Sequence, residues 1–447
     1  MMKKLSIQEI ITVASMLFGL FFGAGNLIFP ASMGQMSGAN MWPAAAGFLI
    51  TGVGLPLLGV AALGISRENG LLGLSSRVSR KYGLLFTCLL YLTIGPFFAI
   101  PRCATVSFTV GIEQLLPQTD QTLALALFSL LFFAAVLFFS LRPGEILTWI
   151  GKVLNPLFLC FLAILIIRAL SEPLGQIAEI APSGTYITDA FATGLLEGYN
   201  TMDALAGLAF GIIVVNAIRS LGVSEPDEIA KSTVKAGLLS AMLMALIYVL
   251  VTMIGAQSRG SFAAAANGGE ALAQIAEHYF GSIGALILAF TVTLACLKTA
   301  IGLITSCAET FVKLFPHGPG YHIWAIGFCL LSFLIANLGL NAIIACSMPV
   351  LMFLYPLAIV LILLTLFGKA FHDDRRVLRW TIGMTVIAAI YDLLRSLPAS
   401  LLSALSLDQP IHWISDMVPL AAQGFGWIPL SLLGFLLGCA MKKRRLR

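Results

Sequence analysis

Two polar interruptions sit inside otherwise apolar stretches, and these are where the chain can do chemistry. The first is Gly19-Leu20-Phe21-Phe22-Gly23-Ala24-Gly25-Asn26, three glycines and an asparagine within eight residues. Each glycine costs a helix about 1 kcal/mol relative to alanine, so together they favour unwinding. Backbone freed in this way must line a cavity if lipid surrounds it. Its N–H groups can hold a carboxylate and its carbonyls an ammonium or a metal cation. Alternatively, Gly19 and Gly23, four apart, serve a close helix–helix contact. The second interruption is Glu197-Gly198-Tyr199-Asn200-Thr201-Met202-Asp203-Ala204-Leu205-Ala206-Gly207. A carboxyl group such as that of Asp203 within a membrane is costly and points to function, unless it only neutralises a buried arginine.

Two cations lie in similar positions. Arg102 follows Gly95-Pro96 and Ile100-Pro101 in a stretch that must kink. It can line a pathway or pair with Asp203, and the pairing is the expectation taken here. Lys298 lies near the middle of Ala295-Cys296-Leu297-Lys298-Thr299-Ala300, and Ser347-Met348-Pro349 with Tyr355-Pro356 marks a further kink or gate.

The surrounding sequence dictates what positions these groups. Of 447 residues, 59% are hydrophobic and 11% charged, against about 25% charged in soluble domains, and the mean hydropathy is +0.96. So few charges cannot cover a water-exposed surface. The expected architecture is an all-α polytopic membrane protein forming one transporter domain, 1–447. Its spans are expected at 7–29, 42–65, 84–112, 123–141, 146–167, 191–218, 236–254, 283–311, 323–338, 342–367, 380–397 and 424–439, each near the roughly 20 residues a bilayer demands. The first is too long for a signal-peptide core and is read as retained. Of the longer links, 257–278 reads either as short helices capping a vestibule or as a plain loop. The eight cysteines (Cys88, Cys103, Cys160, Cys296, Cys307, Cys329, Cys346 and Cys439) form no CxxC pair and read as small apolar residues.

With the N-terminus inside and the sides alternating, twenty-one Lys and Arg fall on the inner side. Three (Arg168, Arg259, Arg395) fall on the outer side and two (Arg102, Lys298) within spans, which accounts for all 26. That asymmetry sets the orientation, with both termini cytoplasmic in a bacterial-type inner membrane. It also reads the net charge of +5 as a topology signal, so nucleic acid is not an expected partner. Ten spans divide into sets of five, 7–168 and 191–367, with 377–440 as additional helices. An odd number per set forces the second to be inverted, a common transporter plan whose corresponding first helices are broken at the midplane.

The motifs FGLFFGAGNLIFP (18–30), IGPFFAIPR (94–102), EGYNTMDALAGLAFG (197–211) and TLACLKTAIGL (293–303) resemble those of the branched-chain amino acid:cation symporter family. That family belongs to the amino acid–polyamine–organocation superfamily, with the LeuT-type 5+5 inverted repeat, broken helices 1 and 6 and, here, two extra C-terminal helices. The resemblance implies import of leucine, isoleucine and valine with a cation, sodium or proton, and no cofactor or obligatory protein partner. It places the substrate's polar groups at Gly23, Ala24, Gly25 and Asn26 and at a window from Thr201 through Met202, Asp203 and Ala204 to Leu205. It places a cation site at the carbonyls of Gly19 and Phe22 with Ala295, Lys298 and Thr299. Where the sodium-coupled pattern carries a hydroxyl, this chain carries Lys298. Two unit charges about 4 Å apart repel by about 4 kcal/mol at an effective dielectric of 20, a thousandfold in sodium affinity. Lys298 is therefore expected to replace the sodium ion and to carry a proton, or else to point to another helix face and pair with Asp203 or a carbonyl.

Other classes fit less well. A membrane enzyme needs clustered catalytic groups, whereas the five histidines lie near span ends; Asp373-Asp374 reads as a solvated run. No GxxxxGK[ST] phosphate loop supports an ATP-driven pump. A channel would ordinarily need symmetric subunits.

Overall fold

The structure, a computed structural model, describes residues 4–441 apart from 24, 67, 69, 114–115, 117–120, 142–154, 399–401, 404–410, 412–416 and 422. Ala24 and the start of the fifth expected span thus lie outside the described residues. Every regular element among the described residues is helical. Among the described residues, eight helices are long and apolar enough to cross a membrane, and four shorter apolar helices accompany them. Large apolar side chains such as Ile7, Leu131 and Ile283 are at least 70% exposed on the outside of the bundle, as lipid-facing positions require.

The first span is two helices. The capping box of Ser6 and Glu9 starts α1, Ile7–Phe21. It stops at Phe22, whose backbone is extended (φ −72°, ψ 96°), and α2, Gly25–Ser37, follows with Pro30 inside it. The second span is α3, Met41–Leu49, and α4, Leu55–Ser66, joined by a widened turn at Ile50–Gly54. A short α5, Leu71–Ser76, leads into α6, Arg80–Leu92. Gly95-Pro96 then breaks the third span, with Gly95 at φ −95°, ψ −125°, before α7, Ala99–Gly111. Next come α8, Gln121–Ser140, and α9, Asn155–Ser171.

The sixth span repeats the interruption of the first. α10, Ala190–Glu197, gives way to one tight turn, Gly198–Thr201, and Met202 sits in the left-handed region at φ 62° before α11, Asp203–Ser220. A side chain at that φ costs about 1–2 kcal/mol and survives only where surrounding contacts fix it. Gly198 allows the turn to form, because a Cβ there would overlap the Thr51 hydroxyl and lie 3.0 Å from the Gly52 nitrogen.

The rest of the bundle is α12, Pro226–Ser258; α13, Gly268–Leu314; α14, Tyr321–Ala336; α15, Leu340–Leu366; α16, Arg375–Arg395; and α17, Trp427–Ala440. Gly281 (φ 61°) divides α13, so residues 268–280 form a helical cap on a membrane span. The connection around 257–278 is therefore partly helical. α2 packs on α12 at van der Waals closeness: a Cβ on Gly34 or Gly255 would collide with the Thr252 or Ala31 carbonyl. This is the small-residue helix contact that replaces hydrophobic driving force in lipid. None of the eight cysteines is in a disulfide.

Candidate functional site

The two interruptions meet. Gly23 donates its N–H to Asn26 Oδ1 (2.9 Å), and Asn26 Nδ2 donates to Asp203 Oδ2 (2.6 Å). Tyr248 of α12 donates its hydroxyl to the same oxygen (2.8 Å) and also contacts Asn26 Nδ2. Asn26 and Asp203 are each 2% exposed. A carboxylate that accepts several bonds in a dry site is one the fold holds in place. The break in the first span is thus tied to the break in the sixth by a side-chain bond spanning 177 residues.

Arg102, 3% exposed, reaches the same place from α7. The expectation was an ion pair with Asp203; among the described residues no such pair forms. Its Nη1 donates instead to the Asn200 carbonyl (2.7 Å), one of the groups released by the broken sixth span. The guanidinium lies over the Phe29 ring at 5.1 Å. Its Nη2 stands 2.9 Å from where a Cβ on Gly25 would be, so glycine at 25 leaves room for the charge. Among the described residues, Arg102 Nε and Asn200 Oδ1 are buried without a hydrogen-bond partner, and Arg102 lines the central cavity.

Between these groups is a cavity of about 30 Å³, roughly the share of one water in the liquid. Its polar wall is Gly23, Gly25, Asn26, Arg102, Thr201 and Asp203, with Met202 beside them. Its apolar wall includes Leu20, Phe21, Ile94, Phe210 and Leu303. Ala204 and Leu205, expected in the same window, are fully buried and do not line it: one turn into α11, the helix faces its neighbours. Sequence reasoning missed Tyr248 and the apolar wall. The signal for Tyr248 was a tyrosine in the middle of an apolar span, which has a hydroxyl to satisfy.

At the expected cation site, Thr299 Oγ1 lies 3.5 Å from the Phe22 carbonyl and 3.1 Å from that of Ala295. Gly23 packs on Thr299, and Gly19 is buried one turn earlier on α1. Lys298 is 1% exposed. Its Nζ lies 5.9 Å from the Phe18 ring centre and 5.4 Å from that of Phe158, near enough for the rings to favour an ammonium. It therefore reaches between α1 and α9, beside the turn that carries Phe22.

Residues 6–445 match the family model described as branched-chain amino acid transport protein. The chain is 53% identical to the branched-chain amino acid permease BrnQ of Lactobacillus delbrueckii subsp. lactis, over 99% of this chain and 100% of that one. It is 40% identical to BrnQ of Bacillus subtilis (strain 168), over 98% of each. Among solved structures it is similar to MhsT in complex with L-phenylalanine (TM-score 0.60, 16% identity, 98% of this chain and 100% of that one). It is also similar to Mhp1, a nucleobase-cation-symport-1 family transporter in a closed conformation with bromovinylhydantoin bound (TM-score 0.58, 14% identity, 96% and 91%). The likeness to these transporters shows the LeuT-type fold.

Proposed function

Because the chain belongs to the branched-chain amino acid transport protein family, we propose that it imports leucine, isoleucine and valine across a bacterial inner membrane by alternating access, coupled to a cation. The observation that carries this reading is the meeting of Arg102, Asp203 and two interrupted helices around one buried cavity. A zwitterion needs one partner of each sign, and this cavity has both. The substrate carboxylate goes to Arg102 and the backbone N–H groups near Gly25, and the ammonium to Asp203. The aliphatic side chain goes to Leu20, Phe21, Ile94, Phe210 and Leu303. A cavity of about 30 Å³ cannot hold leucine, so the cycle requires the two broken spans to move relative to α7 and α13. The orientation, with both termini in the cytoplasm, rests on the distribution of Lys and Arg.

The coupling ion follows from Lys298. Its amine, on the turn of α13 that presents Thr299 to the Phe22 carbonyl, supplies the positive charge at the cation site. Transport then runs on a proton or without sodium. Leucine uptake into proteoliposomes, with a sodium or a proton gradient imposed separately, tests both parts. Uptake driven by the proton gradient alone is expected, with sodium dependence appearing in Lys298→Thr. Strong sodium dependence in the native protein, unchanged by Lys298→Thr, excludes the lysine's role, and no leucine uptake under either gradient excludes the function.

A further inference from the structure

A second, larger cavity of about 310 Å³ lies away from the central site, between the end of α16, α10 and Met352 of α15. Engineered apolar cavities of about 150 Å³ hold a benzene, so this one has room for a small organic molecule. Its mouth is formed by the exposed Thr185, Asp189 and Gln423. On its wall is Asp392, 2% exposed, with both carboxylate oxygens buried and neither accepting a hydrogen bond among the described residues. Leaving such a group unsatisfied is costly, and buried polar groups in native proteins nearly always have partners. Nothing in the central mechanism uses this carboxylate.

The remaining lining defines what completes it. Arg395, three residues along α16, lines the same space and donates Nη1 to the Ala421 carbonyl (2.5 Å). Ala192, Leu196 and Met352 supply an apolar side. Among the described lining residues, Asp189 and Asp392 outnumber the one guanidinium, that of Arg395, so this lining favours a group with a positive end. A bare metal ion would fill a small fraction of this volume and leave the apolar side unused. A small molecule bearing an ammonium, a carboxylate and an aliphatic chain uses all three parts.

We propose that this cavity is a second binding site for a small zwitterionic aliphatic amino acid, its ammonium held by Asp392 and its carboxylate on the Arg395 side. Thr193 and Leu196 belong to α10, the helix that ends at the break at Gly198. An occupant there therefore sets the position of the helix that leads into the central site. Its location is independent of the proposed function; only the choice of leucine as probe rests on it.

Equilibrium dialysis of the purified full chain with radiolabelled leucine tests the proposal. The native protein is expected to bind two leucines per chain. Asp392→Asn, and separately Ser396→Trp, which fills the cavity from a helix end, are expected to bind one. A native stoichiometry that Asp392→Asn leaves unchanged, or that Ser396→Trp leaves unchanged, overturns it. So does a response to sodium alone that needs Asp392 while leucine binding does not. An Asp203→Asn chain that binds two leucines with both affinities within threefold of native refutes the central-site reading and leaves this one standing.

Discussion

Replacing Asp203 by asparagine changes one atom at the junction of the two broken helices. Asp203 Oδ2 accepts from Asn26 Nδ2 at 2.6 Å and from the Tyr248 hydroxyl at 2.8 Å. An asparagine keeps those two bonds only by turning its single amide oxygen to them. Its NH2 group then takes the place of Oδ1 and offers a donor where the substrate ammonium needs an acceptor. The loss is one hydrogen bond to a charged group, about 1.5–3 kcal/mol, which corresponds to roughly a 10- to 150-fold rise in the leucine concentration needed for half-maximal uptake. Initial rates of leucine uptake into proteoliposomes measure it, with thermal unfolding of the purified variant as the check on folding. A folded Asp203→Asn protein whose KM stays within threefold of the native value refutes the reasoning.

Two further outcomes follow from the packing. Phe210 is 1% exposed and lines the central cavity with its ring 6.3 Å from that of Phe21; since a methylene in an apolar pocket is worth about 1–3 kcal/mol, Phe210→Leu should strengthen methionine and phenylalanine at least tenfold as competitors of leucine uptake, and an unchanged ranking would remove Phe210 from the specificity pocket. Gly198→Ala forces a methyl into Thr51 and the Gly52 nitrogen, an overpacking cost of about 1–3 kcal/mol; differential scanning fluorimetry should show a lower melting temperature, partly restored by adding Thr51→Ala, and an undisturbed single variant would show the turn to be looser than described.

The interruptions were the most legible part of the sequence. Glycine and proline act locally, so Gly19 to Gly25, Gly95-Pro96 and the polar run at 197–207 announced their breaks without knowledge of any partner. The burial of Arg102, Asp203 and Lys298 was legible for a similar reason, as each lies within an apolar stretch. What they touch was not. Hydropathy does not distinguish the Asn200 carbonyl from the Asp203 carboxylate as the partner of Arg102, because the two are three residues apart and the choice depends on how the turn at 198–201 winds. Tyr248 reaches Asp203 from a helix 45 residues away, and nothing in its own apolar neighbourhood indicates the direction. The widened turn at Ile50–Gly54 was hidden by glycines that also suit an ordinary helix contact.

The central claim is that one cavity reads both ends of a zwitterion, Arg102 the carboxylate and Asp203 the ammonium. Competition against radiolabelled leucine by its two halves, 4-methylpentanoate without the amine and isoamylamine without the carboxylate, tests it most directly. Each should compete at least a hundredfold more weakly than leucine itself. Either compound competing within tenfold of leucine would contradict the account.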